Sequence, residues 1–344
     1  MLNLAIRIEL TTFASICYFY QKANLFSIIC MSVYTIVERQ SLEKFLQYYN
    51  VGKLITHQGI SAGIENTNYF VTTSKGEFVL TLFEQLSTEE LPYFLELMAY
   101  LSERGVPSAH PIANNQQYYL SELNQKSAVL VERLSGENVT IPSLTQCRAL
   151  GKALGHFHAI SPQFPFHRAN SYGPSWWHTV TKRLLPYLSI DDVALLQTEL
   201  HFQDQCKHLD LPCGVIHADL FRDNALFEKD KLSGIIDFYI ACNDVLIYDL
   251  AITINDWCSL PNGHLEQNRM RAILDNYRQE RELTSIEIQA FPALLRAAAL
   301  RFWLSRLQDL HFPRAGEITH IKDPNVFREI LRTHIVTDLS AIFL

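Results

Sequence analysis

Apolar and polar positions along this chain change rhythm about a third of the way in. Over Ser41 to Tyr49, Leu42, Phe45 and Leu46 fall on one face, which predicts a short amphipathic helix ending near Asn50 and Gly52. Two apolar segments then flank Gly59-Ile-Ser61-Ala-Gly63-Ile-Glu-Asn66, as a β-hairpin with a glycine-bearing turn requires. A second strand pair turns at Ser74-Lys75-Gly76 and continues through Phe83. Ser87-Thr-Glu89-Glu90 has the form of a capping box and predicts a helix to about Arg104, stopped by Gly105. Leu91, Phe94, Leu95, Met98 and Leu101 would be its buried stripe. Strand-like runs over 117–120 and 128–131 lead into Glu132-Arg-Leu134-Ser-Gly136, the place for an interlobe hinge.

Beyond that point helical spacing dominates. Ser143 to Ala159 opens on another capping box, Tyr248 to Cys258 reads as a helix, and Arg296 to Leu307 is the clearest amphipathic run. No repeat or low-complexity linker separates the halves. The pattern therefore predicts an α+β protein of two lobes sharing a cleft, a small antiparallel-sheet lobe over 31–134 and a larger, mostly helical lobe over 135–344.

Residues 1–30 stand apart. They are rich in Ile, Leu, Phe and Tyr, yet Arg7, Glu9 and Lys22 interrupt them too often for a membrane span, and the features of a signal peptide are missing. With a second methionine at Met31, an upstream start is the expectation, and a membrane-associating arm is the alternative. The rest of the composition narrows the class. Hydrophobic residues at 48% with charged residues at 19% supply a core, and a net charge of −7 argues against a nucleic-acid or anionic-membrane binder. Seven scattered cysteines without C-x-x-C spacing fit a reduced, cytoplasmic protein, and His156 and His158 read as packed rather than metal-binding.

The candidate chemistry lies in His217-Ala-Asp219-Leu-Phe-Arg222-Asp223-Asn224, followed by Ile-Ile-Asp237-Phe-Tyr. Two carboxylates and a carboxamide at these offsets are what phosphoryl transfer requires. Asp219 would accept the proton of an attacking hydroxyl, and Asn224 and Asp237 would hold Mg²⁺ on the phosphates of ATP. His217 would brace the loop, and Arg222 could stabilise the transferring phosphoryl or simply pair with a surface carboxylate. Gly59, Ser61, Gly63 and Asn66 would let backbone N–H groups approach the nucleotide, with Glu132 to Leu134 at the adenine. One departure is plain: the strand position that carries a phosphate-binding lysine in kinase-like folds holds Thr81, while Lys75 sits in a turn. Glu89, Glu90 and Glu96 then read as ordinary helix-surface charges.

The His217–Asn224 segment resembles the aminoglycoside phosphotransferase and choline kinase group. Gly59 to Phe70, Phe78 to Glu84, Glu89 to Phe94, Ile236 to Asp244, Ile254 to Cys258 and Thr319 to Asn325 resemble one branch of it, the homoserine kinases. The resemblance runs from about Met31 to His334 and implies a protein-kinase-like bilobal fold and the ATP-dependent phosphorylation of L-homoserine in threonine biosynthesis. A zwitterionic acceptor needs an anion and a cation: Asp244, Asn255 and Asp256 are candidates for its ammonium, and Arg301, Arg306 or Arg222 for its carboxylate. Asp249 reads as structural. Spacing alone does not separate homoserine from choline, methylthioribose or an aminoglycoside, and the absent lysine keeps a non-catalytic nucleotide-binding module open.

Overall fold

A computed structural model describes residues 35–60, 66–206, 210–313 and 321–338. The extension expected over 1–30 and the turn residues Ser61 and Gly63 lie outside the described residues. Strands β1 (Leu54–Ile60), β2 (Asn66–Thr73), β3 (Gly76–Phe83), β4 (Leu120–Leu123) and β5 (Lys126–Glu132) form one antiparallel sheet in the order β1-β2-β3-β5-β4. Period-two alternation gives the sheet two buried faces. Tyr69, Val71, Leu80, Leu82 and Leu130 pack on Leu42, Phe45 and Leu46 of helix α1 (Arg39–Leu46). Phe83, Val129 and Val131 join the main core with Leu91, Leu95 and Leu101 of α2 (Leu91–Ser102). An elongated hydrophobic cluster thus continues from this sheet into the second lobe.

Three boundaries differ from the expected ones, each for a local reason. Helix α1 starts at Arg39, whose guanidinium pairs with Glu43 at 2.8 Å across one turn. The strand expected over 117–120 begins only at Leu120. Gln117 is in the left-handed region (φ 67°), and Asn114 Oδ1 accepts from Gln116 N–H at 2.9 Å and Tyr118 N–H at 3.1 Å, so those residues form a turn. Helix α2 begins after Glu90 without the full capping box: Ser87 N–H reaches Glu90 Oε2 at 3.4 Å, while Glu90 Oε1 takes Arg168 at 2.9 Å.

The second lobe consists of α3 (Leu144–Ile160), α4 (Pro174–Leu184), α5 (Ile190–Gln205), α6 (Leu246–Trp257), α7 (Gln267–Glu280), α8 (Ser285–His311) and α9 (Asn325–Val336). Ser143 caps α3 in a complete capping box with Gln146, as its sequence predicts. Helices α3 and α7 touch through Gly151 and Gly155, where an added Cβ would lie 2.3 Å from Ile273 O and 2.6 Å from Tyr277 O. Only glycine permits that approach. From Ala297 to Leu304 every residue of α8 is buried, which makes it the axis of the lobe. Two small ladders, β6 (Cys213–Ile216) with β9 (Cys242–Val245) and β7 (Ala225–Glu228) with β8 (Lys231–Ile235), carry the candidate chemistry on the loops between them.

Candidate active site

The 217–224 loop leaves β6 and enters β7, and the 236–241 segment leaves β8 and enters β9, so the two ladders bring both loops to one place. His217 joins them. Its buried ring donates from Nε2 to Ile236 O at 2.9 Å and accepts from Asp219 N–H at Nδ1, at 3.2 Å. Burial lowers its pKa, so the imidazole stays neutral with the tautomer those two bonds require. That is a brace.

A second brace grips the peptide before Asp219. Ala218 is left-handed (φ 65°), which is costly for a side-chain-bearing residue. Asp249 on α6 accepts the N–H groups of His217 at 2.7 Å and Ala218 at 2.8 Å, while Arg301 on α8 donates from Nη1 to Ala218 O at 2.8 Å. His158 Nε2 lies 3.1 Å from Asp249 Oδ2, its Nδ1 lies 2.8 Å from the Tyr277 hydroxyl, and Arg281 donates to that hydroxyl at 3.0 Å. Burial depresses His158, so it is neutral, donating to Asp249 and accepting from Tyr277. Burial works against ionised Asp249, but the bonds from His158 and the main chain outweigh it and hold the carboxyl below its ordinary value. The sequence marks Asp249 as structural, but spacing alone does not reveal the His158–Tyr277–Arg281 chain behind it.

Asp219 keeps part of its surface open to the cleft. Its desolvated surroundings push its carboxyl up to about 7, with Arg301 opposing the rise and the charge of Asp237 adding to it. Asn224, on the single turn Arg222–Asn224, is buried, and its Nδ2 donates to Asp219 O at 2.8 Å and Asp219 Oδ2 at 3.2 Å. An amide with its nitrogen so occupied presents Oδ1 as its remaining metal-binding atom. Asp237 is exposed and left-handed (φ 64°). Among the described residues no three His, Cys, Asp or Glu side chains cluster closely enough to hold a metal. One amide oxygen and one carboxylate fit a hard ion that takes its other oxygens from phosphates and water.

The remaining expected residues divide. Arg222 donates to Asp256 through its backbone N–H at 2.8 Å and Nε at 3.0 Å, and through Nη1 to Thr140 O at 2.7 Å, so Arg222 and Asp256 occupy each other. Asn255 is fully buried, donating to Leu295 O at 2.8 Å and facing His334 Nε2 at 2.8 Å, which leaves neither amide atom for a substrate. Arg301 is buried in its service to Ala218. Asp244 accepts from Asn170 at 2.6 Å and from Val245 N–H at 2.7 Å, which fixes the segment between α3 and α4. Arg306 lies near Asp219, Asp223 and Asp256; burial lowers its pKa against their charges, and Nη1 donates to Asp323 O at 2.9 Å. Lys322 pairs with Asp223 at 2.5 Å.

On the first lobe, Gly59 sits in β1 opposite Tyr69, and Asn66 opens β2. Thr81 is buried and donates to Asn68 Oδ1 at 2.7 Å, with the Tyr239 hydroxyl beside it, so uncharged side chains stand where a lysine would. Lys75 reaches back to Asn50 at the exposed turn, and Glu89 and Glu96 are exposed. Glu132 N–H is spent on His110 O at 2.9 Å. Two residues on, Leu134 packs against Gly234, and no backbone hydrogen bond engages it among the described residues, which makes it the freer hinge position.

Residues 56–283 match the model of the phosphotransferase enzyme family. The chain is 48% identical over 305 residues to a homoserine kinase of Methylobacillus flagellatus, covering 89% of this chain and 96% of that one. It is 44% identical over 301 residues to a homoserine kinase of Neisseria meningitidis serogroup B, covering 88% and 99%. Among solved structures, an amicoumacin kinase in complex with AMP-PNP, Ca²⁺ and Ami superposes with a TM-score of 0.67 at 19% identity, covering 87% of this chain and 94% of that one. A spectinomycin phosphotransferase in complex with ADP and spectinomycin gives 0.63 at 14% identity, covering 90% and 97%. By the family model that spans residues 56–283 and by relatives 44% and 48% identical over most of both chains, the chain belongs to the phosphotransferase enzyme family, in its homoserine kinase branch.

Proposed function

We propose that this protein transfers the γ-phosphoryl group of ATP to the side-chain hydroxyl of L-homoserine, giving O-phospho-L-homoserine and ADP, in threonine biosynthesis. The observation that carries the reading is the Asp219–Asn224–Asp237 constellation, held by two braces in a chain 48% identical to a homoserine kinase over nearly its whole length. Asp219 orients the acceptor hydroxyl and takes its proton as the oxygen attacks phosphorus; its carboxyl, near 7, is ionised in a large share of molecules at neutral pH. Asn224 Oδ1 and Asp237 would hold Mg²⁺, which neutralises charge on the phosphates. Arg306, close to Asp219 and not bound to Asp256 as Arg222 is, takes the part first given to Arg222 beside the transferred group. Asn68, Thr81 and Tyr239 supply hydroxyl and amide groups but no charge, so Arg306, with Mg²⁺ where it is bound, would carry the load that a strand lysine carries elsewhere. Leu134 offers the adenine contact. Among the described residues no helix is long and apolar enough to cross a membrane, and the free cysteines suit a cytoplasmic enzyme.

The test is ADP release from ATP, with and without Mg²⁺, across L-homoserine, choline, methylthioribose and kanamycin. Stimulation by L-homoserine alone, lost on chelation, is the expected result. Stimulation by another acceptor and not by L-homoserine would overturn the substrate, and ATP binding without turnover on any of them would favour a non-catalytic module.

A further inference from the structure

A pocket of ≈ 150 Å³ opens beside the catalytic loops, between the start of β2, the residues after β3, the segment before α4 and the residues after Asp237. Asn66, Gln85, Arg168, Ser171, Tyr172 and Tyr239 are among its lining side chains. It adjoins the chemistry on two sides. Tyr239 is two residues past Asp237, and the Tyr172 ring lies 4.7 Å from the Arg301 guanidinium that holds Ala218 O, the carbonyl next to Asp219.

The lining mixes apolar groups (Leu86, Ala169, Ile240 and Cys242) with polar and aromatic ones, and its one ionised side chain is a cation, Arg168, which pairs with Glu90 outside the lining at 2.9 Å. Choline and aminoglycosides are cationic acceptors and would need anions there. An amino-acid alcohol needs a donor for its carboxylate, and a guanidinium can meet both carboxylate oxygens at once. We propose that Arg168 binds the acceptor's α-carboxylate in this pocket and makes the enzyme selective for an amino-acid alcohol; this rests on the kinase reading above and adds the residue that sets its substrate class.

Arg168 is positioned from both lobes. Its N–H donates to Asn243 Oδ1 at 2.9 Å, and its carbonyl accepts from Asn243 N–H at 2.7 Å. Asp244 holds the next turn of the segment through Asn170. The side chain crosses to the first lobe, where the guanidinium lies 4.9 Å from the Phe94 ring centre and gives one N–H to Glu90 at 2.9 Å. That bond uses one of a guanidinium's five donors and fixes its plane. Asp244 therefore serves the acceptor indirectly, by anchoring the segment that carries Arg168, and the aromatic rings of Tyr172 and Tyr239 are suited to the ammonium end.

The experiment compares L-homoserine with 3-aminopropan-1-ol, the same amino alcohol without the carboxylate, as acceptors for the wild-type protein and the Arg168→Met, Arg168→Gln and Arg306→Met variants. Wild-type protein should prefer L-homoserine by ~10²-fold or more in kcat/KM. Arg168→Met and Arg168→Gln should lower kcat/KM for L-homoserine by about 10²-fold, mostly through KM, while changing the aminopropanol value less than about threefold. Arg306→Met should lower kcat on both acceptors alike. Nucleotide-induced thermal shifts in each variant, and the retained aminopropanol rate, report that the fold is intact. An equal loss on both acceptors in both Arg168 variants would overturn the role of Arg168 and assign it to holding Glu90. Wild-type protein inactive on L-homoserine would overturn the kinase reading itself, and the proposal with it.

Discussion

At the scale of single residues, Asp219 pays for its chemistry in stability. Folded, its carboxyl keeps its proton up to about 7, against an ordinary value of 3.8. The folded state therefore binds more protons than the unfolded one between those values, and this group's contribution to stability falls as pH rises through that window. Asp219→Asn should lower kcat by about 10²–10⁴-fold while leaving MgATP binding close to wild type. The same variant should be more stable than wild type by about 1–2 kcal/mol at pH 8, less than the full shift implies because the carboxylate keeps some contact with water. Denaturation of both proteins at pH 4 and pH 8 checks the sign: the difference should be absent at the lower pH and present at the higher. For the wild type, kcat/KM should rise with pH and level off above about 7, as the base ionises. A rate that instead fell across that range would remove Asp219 as the base. The candidate residues of this loop could be picked from the sequence, because a base and its metal ligands must stand at short fixed offsets, and the fold sets Asn224 against Asp219. For Arg222 the sequence leaves two readings open, and it is the fold that selects the carboxylate pairing, because its partner Asp256 is distant in the chain.

At the scale of elements, buried polar groups determine how rigid the catalytic loop is. Asp249 joins α6 to the loop through two backbone N–H groups and to α3 through His158, all fully buried. Asp249→Ala would strand those donors, and the expected cost is about 3–5 kcal/mol together with loss of turnover. Thermal melts alongside activity would show it; a variant with unchanged melting would mean that water enters to replace the carboxylate. Packing between α3 and α7 makes a contrasting prediction. Gly151→Ala places a methyl against Ile273 O and should destabilise by at least about 2 kcal/mol while leaving KM for ATP and acceptor within twofold at temperatures where the protein stays folded. Helix positions were readable from periodicity and caps, as at Ser143. The start of β4 was not, since nothing in Gln117-Tyr-Tyr-Leu120 announces that Asn114 will fold the preceding residues into a turn.

At the scale of the whole molecule, single residues such as Arg168 span the two lobes, bonded to Asn243 in one and Glu90 in the other. The division into a sheet lobe and a helical lobe is visible in the change of hydrophobic rhythm, because period two and period 3.6 leave different traces. The acceptor pocket is not visible there. Its lining comes from four separated stretches of chain, and Arg168 lies in no motif that chemistry alone would single out. Thr81 in the place of a strand lysine is likewise plain in the sequence, whereas its hydrogen bond to Asn68 across the β2–β3 pair needs the fold.

The central claim is transfer of a phosphoryl group to the hydroxyl of L-homoserine under the control of Asp219. Its most direct test is ³¹P NMR of a reaction containing ATP, Mg²⁺ and L-homoserine, run with the wild-type protein and with Asp219→Asn. Wild-type protein should form a phosphomonoester that co-migrates with O-phospho-L-homoserine in step with ADP, and the variant should form almost none. ADP accompanied by inorganic phosphate alone, or equal product from both proteins, would contradict it.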